Sequence, residues 1–346
     1  VTRQANVDAS GNWTASFSAL DIPDGTYTTT AQISTQDAAG NTATATKTFQ
    51  VDTEVVPLTS DTQPGGSDGI VSAAEASQGF VLNGQVEQGS SVTVTIGGQA
   101  MAAQVSAGGN WSVNVPESAI PAVNGESVSI DISATDSAGN TRTITETMVV
   151  DTVAPNDPDM TAITRDQNQA VRGIVLETTD HDIAIDRVSS TGGNSASQGV
   201  GFNEQDNTFT GETTYSFNQV VPDGSHLVVT ATDSAGNSSG TYVVIDDPNT
   251  SQSNVTLAGN VGGKTIDTID LEFTEEAGLT ITEAQIVAIT GEDNTVKVIG
   301  NNDDSVRITG ATRTGSVSEN GTSYNAYELG DATILIEDEI NSVSTI

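Results

Sequence analysis

Apolar and polar residues alternate along several short stretches of the chain, which is the period expected of half-buried β-strands. The clearest runs are residues 92–96, 111–115 and 128–134, where Val, Ile, Trp or Ala alternates with polar residues, mostly Ser and Thr. Turn signals such as Gly97-Gly98 and Asn124-Gly125 bound these runs. With further strands predicted near residues 80–86, 99–105 and 141–150, the stretch of about 100 residues holds about seven strands, as in a two-sheet sandwich.

The chain is built from repeats. The pentapeptide Asp-x-Ala-Gly-Asn occurs at residues 37–41, 136–140 and 233–237, so its copies lie 99 and 97 residues apart. Gly11-Asn12-Trp13 returns as Gly109-Asn110-Trp111, and each pentapeptide precedes a strand-like stretch that ends in an acidic step at Asp52, Asp151 or Asp246. The spacing predicts the C-terminal part of an immunoglobulin-like repeat at 1–52, a complete repeat at 53–152 and a divergent module at 153–247. The fold is therefore predicted to be mainly β, with tandem immunoglobulin-like sandwiches in an elongated array.

The last segment, residues 248–346, lacks the pentapeptide and is predicted to be a distinct β-rich domain with a short helix. Thr282 and Gln285 have the spacing of a capping box for a helix over 283–289. Strand-like runs surround that helix at residues 296–299, 306–309 and 334–336. Asp303 and Asp304 lie in a turn that we expect to be solvated.

Charge narrows the possible functions. The 346 residues include 46 Asp and Glu against 10 Lys and Arg, a formal net charge of −36, which opposes binding to nucleic acid and anionic lipid. No apolar run is long enough to insert into a membrane, and the first residues lack the pattern of a signal peptide, which predicts a piece of a longer chain. There is no cysteine, so disulfides cannot stabilise the modules. Hydrophobic cores and bound ions are therefore the remaining candidates for what stabilises the modules.

The acidic loops carry the candidate chemistry. Asp37, Asp136 and Asp233 begin the three pentapeptides, and further Asp residues lie at each junction, among oxygen-rich loops that suit calcium. Asp, Asn and Gly are also ordinary turn formers, and for a single copy that interpretation is favoured. Three copies in register, each paired with a junctional Asp, favour calcium.

These motifs resemble a known family. Gly-Asn-Trp, Asp-Gly-Thr-Tyr, Asp-x-Ala-Gly-Asn and Val-Asp-Thr-x-x-Pro are similar to the bacterial immunoglobulin-like repeats of giant type I-secreted adhesins of the repeats-in-toxin and biofilm-associated kinds. The match is close over 1–152 and loose over 153–247, and residues 248–346 resemble the region that precedes the glycine-rich repeats in such adhesins. The resemblance implies an extracellular, calcium-stiffened extension segment at the bacterial cell surface, which contacts neighbouring repeats of its own chain in cell adhesion and biofilm formation.

By motif match, the resemblance implies calcium ligands in both junctions. The first set is Asp37, Asp52, Asp61, Asp68, Asp136 and Asp151. The divergent module adds Asp157, Asp159, Asp233 and Asp246, although Phe209 replaces Trp and Asp246-Asp247 replaces Asp-Thr there.

Catalysis is not indicated, because the sequence lacks the usual zinc, serine or cysteine nucleophile motifs. His181, between Asp180 and Asp182, is expected in a solvated loop, and His226 at an edge or in solvent. Trp13, Trp111 and Phe209 are expected as core anchors. An alternative function is recognition of a carbohydrate, a peptide or another adhesin copy by residues 153–346, because the third module diverges where a spacer would stay regular.

Overall fold

The alternation of apolar and polar side chains along the strands gives a mainly β protein made of packed sheets. The structure is a computed structural model that describes residues 1–189, 197–221, 225–245, 253–257, 261, 263–291, 293–319 and 321–345. It divides into two units, Val1–Thr152 and Val153–Ile346, each with its own hydrophobic cores. The described residues are mainly in strands, which confirms the predicted mainly β fold class.

The first unit contains thirteen strands, one α-helical turn and two 3₁₀ turns. The strands are β1 (Asn6–Val7), β2 (Trp13–Thr14), β3 (Thr26–Gln36), β4 (Thr42–Asp52), β5 (Leu58–Ser60), β6 (Ile70–Val71), β7 (Phe80–Val86), β8 (Ser91–Ile96), β9 (Gln99–Ala102), β10 (Gln104–Val105), β11 (Asn110–Val115), β12 (Glu126–Thr135) and β13 (Thr141–Val150). The helix α1 spans Ala73–Gln78, and the 3₁₀ turns span Ala19–Asp21 and Glu117–Ala119.

Residues 53–152 form a two-sheet sandwich. One sheet has the strand order β10-β11-β7-β5 and the other β6-β13-β12-β8-β9. The apolar positions of both sheets meet in one core around Trp111, Ile96 and Ile132. Trp111 is buried and its indole Nε1 donates to the Thr59 carbonyl oxygen at 3.0 Å, which confirms it as a core anchor.

Residues 1–52 repeat only part of that sandwich. They form two separate two-stranded sheets, β1-β2 and β3-β4. Trp13 pairs with Val7 and remains about half exposed, because 1–52 has no counterpart of the strands that cover Trp111. The prediction that Trp13 is a core anchor is therefore wrong for this chain.

The second unit contains seventeen described strands and a helix. The strands are β14 (Met160–Arg165), β15 (Val171–Glu177), β16 (Asp182–Ser189), β17 (Gln198–Gly199), β18 (Phe202–Asn207), β19 (Glu212–Val221), β20 (Ser225–Thr232), β21 (Ser238–Val243), β22 (Ser253–Thr256), β23 (Thr268–Asp270), β24 (Ala277–Ile281), β25 (Thr295–Ile299), β26 (Ser305–Ile308), β27 (Thr312–Glu319), β28 (Thr322–Leu329), β29 (Ala332–Glu337) and β30 (Ser342–Ser344). The helix α2 spans Glu283–Ile289.

The largest described sheet of the second unit has nine strands, in the order β17-β16-β20-β21-β23-β25-β29-β28-β27. Both faces of this sheet are buried at β20 and β21. Along β20, Leu227 and Val229 pack in the core shared with the sheet β14-β15-β19-β18, whereas Val228 between them packs in the other core. His226 is buried in the same strand, so its expected position at an edge or in solvent is wrong. Phe209 lies at the tip of the β18-β19 hairpin and is almost fully exposed, so it is not a core anchor.

Beyond residue 252 the chain winds as a parallel coil. Its strands alternate between the nine-stranded sheet and the parallel sheet β22-β24-β26-β30, with a core between them. The predicted strands at 296–299, 306–309 and 334–336 and the helix at 283–289 are confirmed. β21 precedes residue 247 and β23 follows it, and the two strands pair in parallel, so strands from before and after the predicted boundary lie in one sheet. The predicted domain boundaries at 52, 152 and 247 stay predictions.

Candidate metal centre

The pentapeptide folds into the same hairpin turn at each of its three positions. In the middle copy, Asp136 Oδ1 accepts hydrogen bonds from the main-chain nitrogens of Ala138 and Asn140 at 2.9 and 2.8 Å, and Asp136 Oδ2 accepts one from the Asn140 amide at 2.8 Å. Gly139 has a φ of +94°, a conformation that favours glycine. The carboxylate thus organises its own turn.

Asp37 and Asp233 make the equivalent hydrogen bonds in their own turns. A fourth copy, which the sequence analysis missed, begins at Asp8 in the related pentapeptide Asp-Ala-Ser-Gly-Asn. The pattern Asp-x-x-Gly-Asn could have found it. Turn formation therefore accounts for the pentapeptide whether or not an ion binds.

Asp136 differs from Asp8 and Asp37 in its surroundings. It follows β12 at the end of the sandwich and is buried, whereas Asp8 and Asp37 are exposed. Burial acts to raise the pKa of Asp136, but hydrogen bonds from Asn140, Gly139 and Ala138 outweigh it and hold this pKa below its ordinary value. The Asp136 carboxylate is therefore ionised at neutral pH.

Asp52 approaches Asp136 from the preceding repeat. It is the last residue of β4, where the Thr26 hydroxyl donates to Asp52 Oδ1 at 3.0 Å. The Asn140 amide donates to the same oxygen at 3.4 Å, so one side chain contacts both carboxylates. Three residues later, Val55 is fully buried in the core of the sandwich, which fixes the chain as it enters that module.

The third carboxylate belongs to Glu87, which the sequence analysis missed. Glu87 follows β7, and its main-chain nitrogen donates to the Pro57 carbonyl oxygen at 2.9 Å. In return, the main-chain nitrogen of Val56 donates to Glu87 Oε2 at 3.2 Å. Glu87 belongs to no repeated motif, so only the fold reveals its position beside the junction.

Asp52, Glu87 and Asp136 form an acidic cluster in which one oxygen of each lies within 4.8 Å of the others. Throughout the described part of the chain, no other group of three acidic or His side chains meets that distance. None of the ion pairs between described residues includes these three carboxylates. The junction therefore gathers negative charge that none of these ion pairs balances, although Arg142 lies there and its Nη1 donates to the Val55 carbonyl oxygen at 3.3 Å.

Ser90 provides a test of whether the acidic cluster suits a cation. Ser90 lies in the turn that follows Glu87, since its main-chain nitrogen donates to the Glu87 carbonyl oxygen at 3.2 Å, and it directly precedes β8. The Ser90 hydroxyl is buried and has no hydrogen-bond partner among the described residues. Carboxylate and hydroxyl oxygens are the hard donors that Ca²⁺ prefers. These residues fit that ion.

The other predicted ligands of the first unit lie outside the acidic cluster. Asp61 and Asp68 are exposed, and Asp68 Oδ1 accepts from the Ile70 main-chain nitrogen at 2.9 Å. Asp151 is buried, and its main-chain nitrogen donates to the Val71 carbonyl oxygen at 3.0 Å. Asp37 lies in an exposed hairpin turn. Calcium binding by these four residues stays a prediction.

In the second unit, Asp157 already has partners. Its Oδ2 accepts from the Thr268 hydroxyl at 2.7 Å and lies 3.4 Å from Lys297 Nζ. Asp159 is exposed and Asp233 is half-buried, while Asp246 lies outside the described residues. Their assignment as ligands also stays a prediction.

Two further acidic sites from the sequence can be located. Asp304 is fully buried and accepts hydrogen bonds from the main-chain nitrogens of Ala277 and Asn301, so it organises a turn of the coil. The prediction that Asp304 is solvated is therefore wrong, whereas Asp303 is exposed. His181 and its acidic neighbours are exposed, as expected of a solvated loop.

A groove of about 570 Å³ opens beside Asp157 in the second unit. Lys297 is the only basic residue that lines it, and it also pairs with Glu319 at 3.1 Å. The remaining charged residues of the groove are acidic: Asp157, Asp159, Glu177, Asp270, Glu272, Glu319 and Glu337.

In the described part of the chain, no helix has the length and hydropathy needed to cross a bilayer.

No family model and no curated protein matches the chain. Among solved structures, a 1.5-MDa bacterial ice-binding adhesin is similar at a TM-score of 0.35 and 22% identity, over 62% of this chain and 72% of that one. A Ca²⁺-stabilised, ice-binding adhesin of an Antarctic bacterium gives 0.36 and 21%, over 96% and 78%. A tetra-tandem repeat from the extending region of a large adhesion protein gives 0.24 and 18%, over 69% and 64%. These distant likenesses do not assign a function.

Proposed function

We propose that the chain is a non-enzymatic extension segment of a bacterial surface adhesin, extracellular and stiffened by calcium, that serves cell adhesion and biofilm formation. The observation that carries this proposal is the acidic cluster Asp52, Glu87 and Asp136, which joins the end of one repeat to loops of the next. The adhesin assignment itself rests on the repeat motifs and their resemblance to secreted adhesin repeats.

Calcium would act at this junction by removing repulsion. Three carboxylates within 4.8 Å of one another repel when no cation is bound, which favours separation of Asp52 from Glu87 and Asp136. A bound divalent ion attracts all three carboxylates, which outweighs their mutual repulsion and holds the end of β4 against the sandwich. The junction then resists bending, and a row of such junctions becomes a rod.

The affinity expected of such a site suits the outside of a cell. Extracellular calcium modules bind with dissociation constants of about 10⁻⁴–10⁻³ M, above cytosolic calcium levels. The sites would therefore fill after export, and folding would be linked to secretion because bound metal adds to the folding free energy. We propose type I secretion as the route on the strength of the sequence resemblance.

The first prediction is that millimolar calcium stabilises the first unit and that Glu87→Gln abolishes this effect. A site with a dissociation constant of about 10⁻⁴ M contributes about 2 kcal/mol at roughly 5 mM calcium. Both tryptophans lie in the first unit, so Trp fluorescence during urea unfolding, in calcium, magnesium or EDTA, measures it. Glu117→Gln is the matched control, because it removes the same charge from an exposed position of the same sandwich.

Two outcomes would contradict this prediction. If calcium leaves the unfolding midpoint of the wild-type chain unchanged, the acidic cluster is not a calcium site. If Glu87→Gln and Glu117→Gln respond to calcium like the wild type, the ion binds elsewhere. Small-angle scattering of the same proteins then tests stiffening, since calcium should narrow the distribution of chain dimensions in the wild type and not in Glu87→Gln.

The acidic groove favours a second candidate function, ligand recognition by residues 153–346. Seven acidic residues around one lysine suit a cationic ligand, even though burial raises the pKa of Asp270 to about 8, so among the alternatives of carbohydrate, peptide or another copy a basic peptide fits best. Binding of the full chain to a peptide array should then depend on lysine and arginine content and weaken with salt. An array without basic hits would remove this candidate.

A further inference from the structure

The floor of the acidic groove lies on one face of the nine-stranded sheet. Asp270 on β23 pairs with Ile299 on β25. The register of β25 on β29 places Ile299 beside Glu337, which pairs with Tyr324 on β28. All four residues line the groove. The floor therefore presents one row of side chains across four adjacent strands, in which two carboxylates flank an isoleucine.

Asp270 is the buried carboxylate of this row, with an exposed fraction of 1%. The segment 155–160 covers the neighbouring part of β23, where the Thr268 hydroxyl donates to Asp157 Oδ2 at 2.7 Å. Asp270 Oδ1 accepts a hydrogen bond from the Glu272 main-chain nitrogen at 2.9 Å, and no described group donates to Asp270 Oδ2. Buried polar atoms normally have a partner, so Oδ2 indicates a donor that enters the groove from outside.

Lys297 balances only part of the negative charge of the groove. Its Nζ lies 3.4 Å from Asp157 Oδ2 and 3.1 Å from Glu319 Oε2. Among the described residues, no ion pair includes any of the other five acidic residues that line the groove. The charged groups that act most strongly on Asp270 are themselves acidic: Glu272, Asp159 and Asp304. The surroundings of Asp270 therefore attract a cation that the described chain does not supply.

The spacing of the carboxylates favours a basic side chain over a bare metal ion. No three acidic residues of the groove bring one oxygen each within 4.8 Å of one another, whereas a calcium ion needs several oxygens around one point. An ammonium group needs fewer partners, and Lys297 shows that one fits between carboxylates of this groove. Ile299, beside Asp270, packs against the small core that contains Tyr324. It offers an apolar surface for the methylene stem of a lysine.

We propose that Asp270 is the specificity-determining carboxylate of the acidic groove, and that its Oδ2 accepts a hydrogen bond from the ammonium group of a peptide lysine whose stem lies on Ile299. This inference rests on the ligand recognition proposed for residues 153–346 and adds the residue and the ligand group that carry it.

The protonation state of Asp270 determines the conditions of the test. Burial raises the pKa of Asp270 to about 8, so the carboxyl group of the empty groove is mainly neutral at pH 7. A bound ammonium favours the ionised form. The ordinary pKa of lysine is about 10.4, so both partners are charged near pH 9, where binding should be tightest.

The test is a nuclear magnetic resonance titration of the full chain in EDTA near pH 9 with an acetylated, amidated glycine–lysine–glycine peptide. The Glu272 amide reports on the site because it donates to Asp270. We expect this amide to shift in a saturable way. The same peptide with an acetylated lysine side chain has no charge and should cause no shift.

Asp270→Asn keeps an oxygen for the Glu272 amide and removes the charge, so it should weaken binding at least about tenfold. Glu328→Gln is the matched control, because it removes one charge from an exposed position of the same sheet outside the groove and should bind like the wild type. Ile299→Lys is a second, independent variant. It places an ammonium group beside Asp270 and should abolish binding of the peptide.

The outcomes separate this inference from the proposed function. If the wild type binds neither peptide, both the role of Asp270 and recognition of basic peptides by the groove are wrong. If the wild type binds the charged peptide but Asp270→Asn and Ile299→Lys bind it equally well, only the role of Asp270 is overturned. Equal binding of the charged and acetylated peptides by the wild type would also overturn it, because the ammonium group would then not be recognised.

Discussion

At the scale of single residues, the pentapeptide shows that one motif can occupy unequal environments. Asp37 and Asp136 make the same hydrogen bonds within their turns, but only Asp136 has Asp52 and Glu87 beside it. The motif therefore identifies a turn, and its surroundings determine whether it can also hold a cation.

This difference predicts unequal effects of one substitution. Asp37→Asn and Asp136→Asn remove the same carboxylate from the same turn, so they should weaken their hairpins similarly. Only Asp136→Asn should lower the calcium affinity of the acidic cluster, by at least about tenfold, because affinity follows the number of charged ligands. Isothermal titration calorimetry of the full chain measures this. Equal calcium binding by the two variants would mean that Asp136 is not a ligand.

His226 is a second residue whose environment determines its chemistry. Its Nδ1 accepts a hydrogen bond from the Ile245 main-chain nitrogen at 3.0 Å, and its ring lies 5.7 Å from that of Tyr242. Burial lowers the pKa of His226 to about 4. The folded state therefore keeps this imidazole neutral at a pH where an unfolded chain would begin to protonate it.

The second unit should accordingly lose stability from His226 as the pH falls. The pKa in the folded state lies below the ordinary value of 6.5, so the contribution is complete above pH 6.5 and is lost towards pH 4, by about 3 kcal/mol in all. Burial raises the pKa values of Asp267 and Asp270 to about 6 and about 8, and their contributions change in the opposite direction. Comparison with a variant is therefore needed.

The informative quantity is the difference in unfolding free energy between the wild type and His226→Gln, measured by near-ultraviolet circular dichroism at pH 7 and pH 5. We expect this difference to shrink at pH 5. His181→Gln is the control, because His181 is exposed and its removal should leave the pH dependence unchanged. A wild-type advantage that is the same at both values would contradict a buried neutral imidazole.

At the scale of elements, alternation and turn residues predicted the strands of residues 53–152, since one face of each strand is buried there. The same reasoning fails for β20, because Leu227, Val228 and Val229 are all buried and a strand covered on both faces has no polar alternation. The helix at 283–289 was predictable from Thr282 and Gln285. Glu87 was not predictable, since its role depends on a contact with residues 56 and 57 that are distant in sequence.

Each of the two described α-helices begins with a capping box, one in each unit. Ser72 with Glu75 begins α1, and Thr282 with Gln285 begins α2; the sequence analysis identified only the second. Thr282→Ala should destabilise the second unit by about 1 kcal/mol, and Ser72→Ala the first unit by a similar amount. Trp fluorescence reports the first unit, because both tryptophans lie there. Four of the five tyrosines lie in the second unit, so the near-ultraviolet circular dichroism change that does not coincide with the fluorescence transition reports the second. A variant that shifts only the other unit's signal would contradict the assignment.

At the scale of the whole molecule, the hydrophobic cores indicate which fragments of the chain should fold independently. The core of Val1–Thr152 and the cores of Val153–Ile346 are separate clusters, whereas Val228 and Tyr242 pack in the same core as Leu279 and Ile334. A boundary at residue 247 was predicted from the repeats, and the fragments that follow test it.

We expect the fragments 1–152 and 153–346 to unfold cooperatively with the midpoints they have in the full chain. Fragment 1–247 should lose the cover over Val228 and Tyr242, so its residues 153–247 should bind a hydrophobic dye and resist folding. Calorimetry and dye fluorescence measure both effects. A fragment 1–247 with two cooperative transitions and no dye binding would establish 153–247 as an independent domain.

The parallel pairing of β6 with β13 has a mechanical consequence. Val149 and Val150 pair with Ile70 and Val71, and the Asp151 main-chain nitrogen extends this ladder to the Val71 carbonyl oxygen. Tension that enters the sandwich near residue 53 and leaves near residue 152 pulls the two strands in opposite directions along their length. The hydrogen bonds between them are then loaded in shear and must break together, whereas an antiparallel hairpin pulled from its open end would unzip one bond at a time.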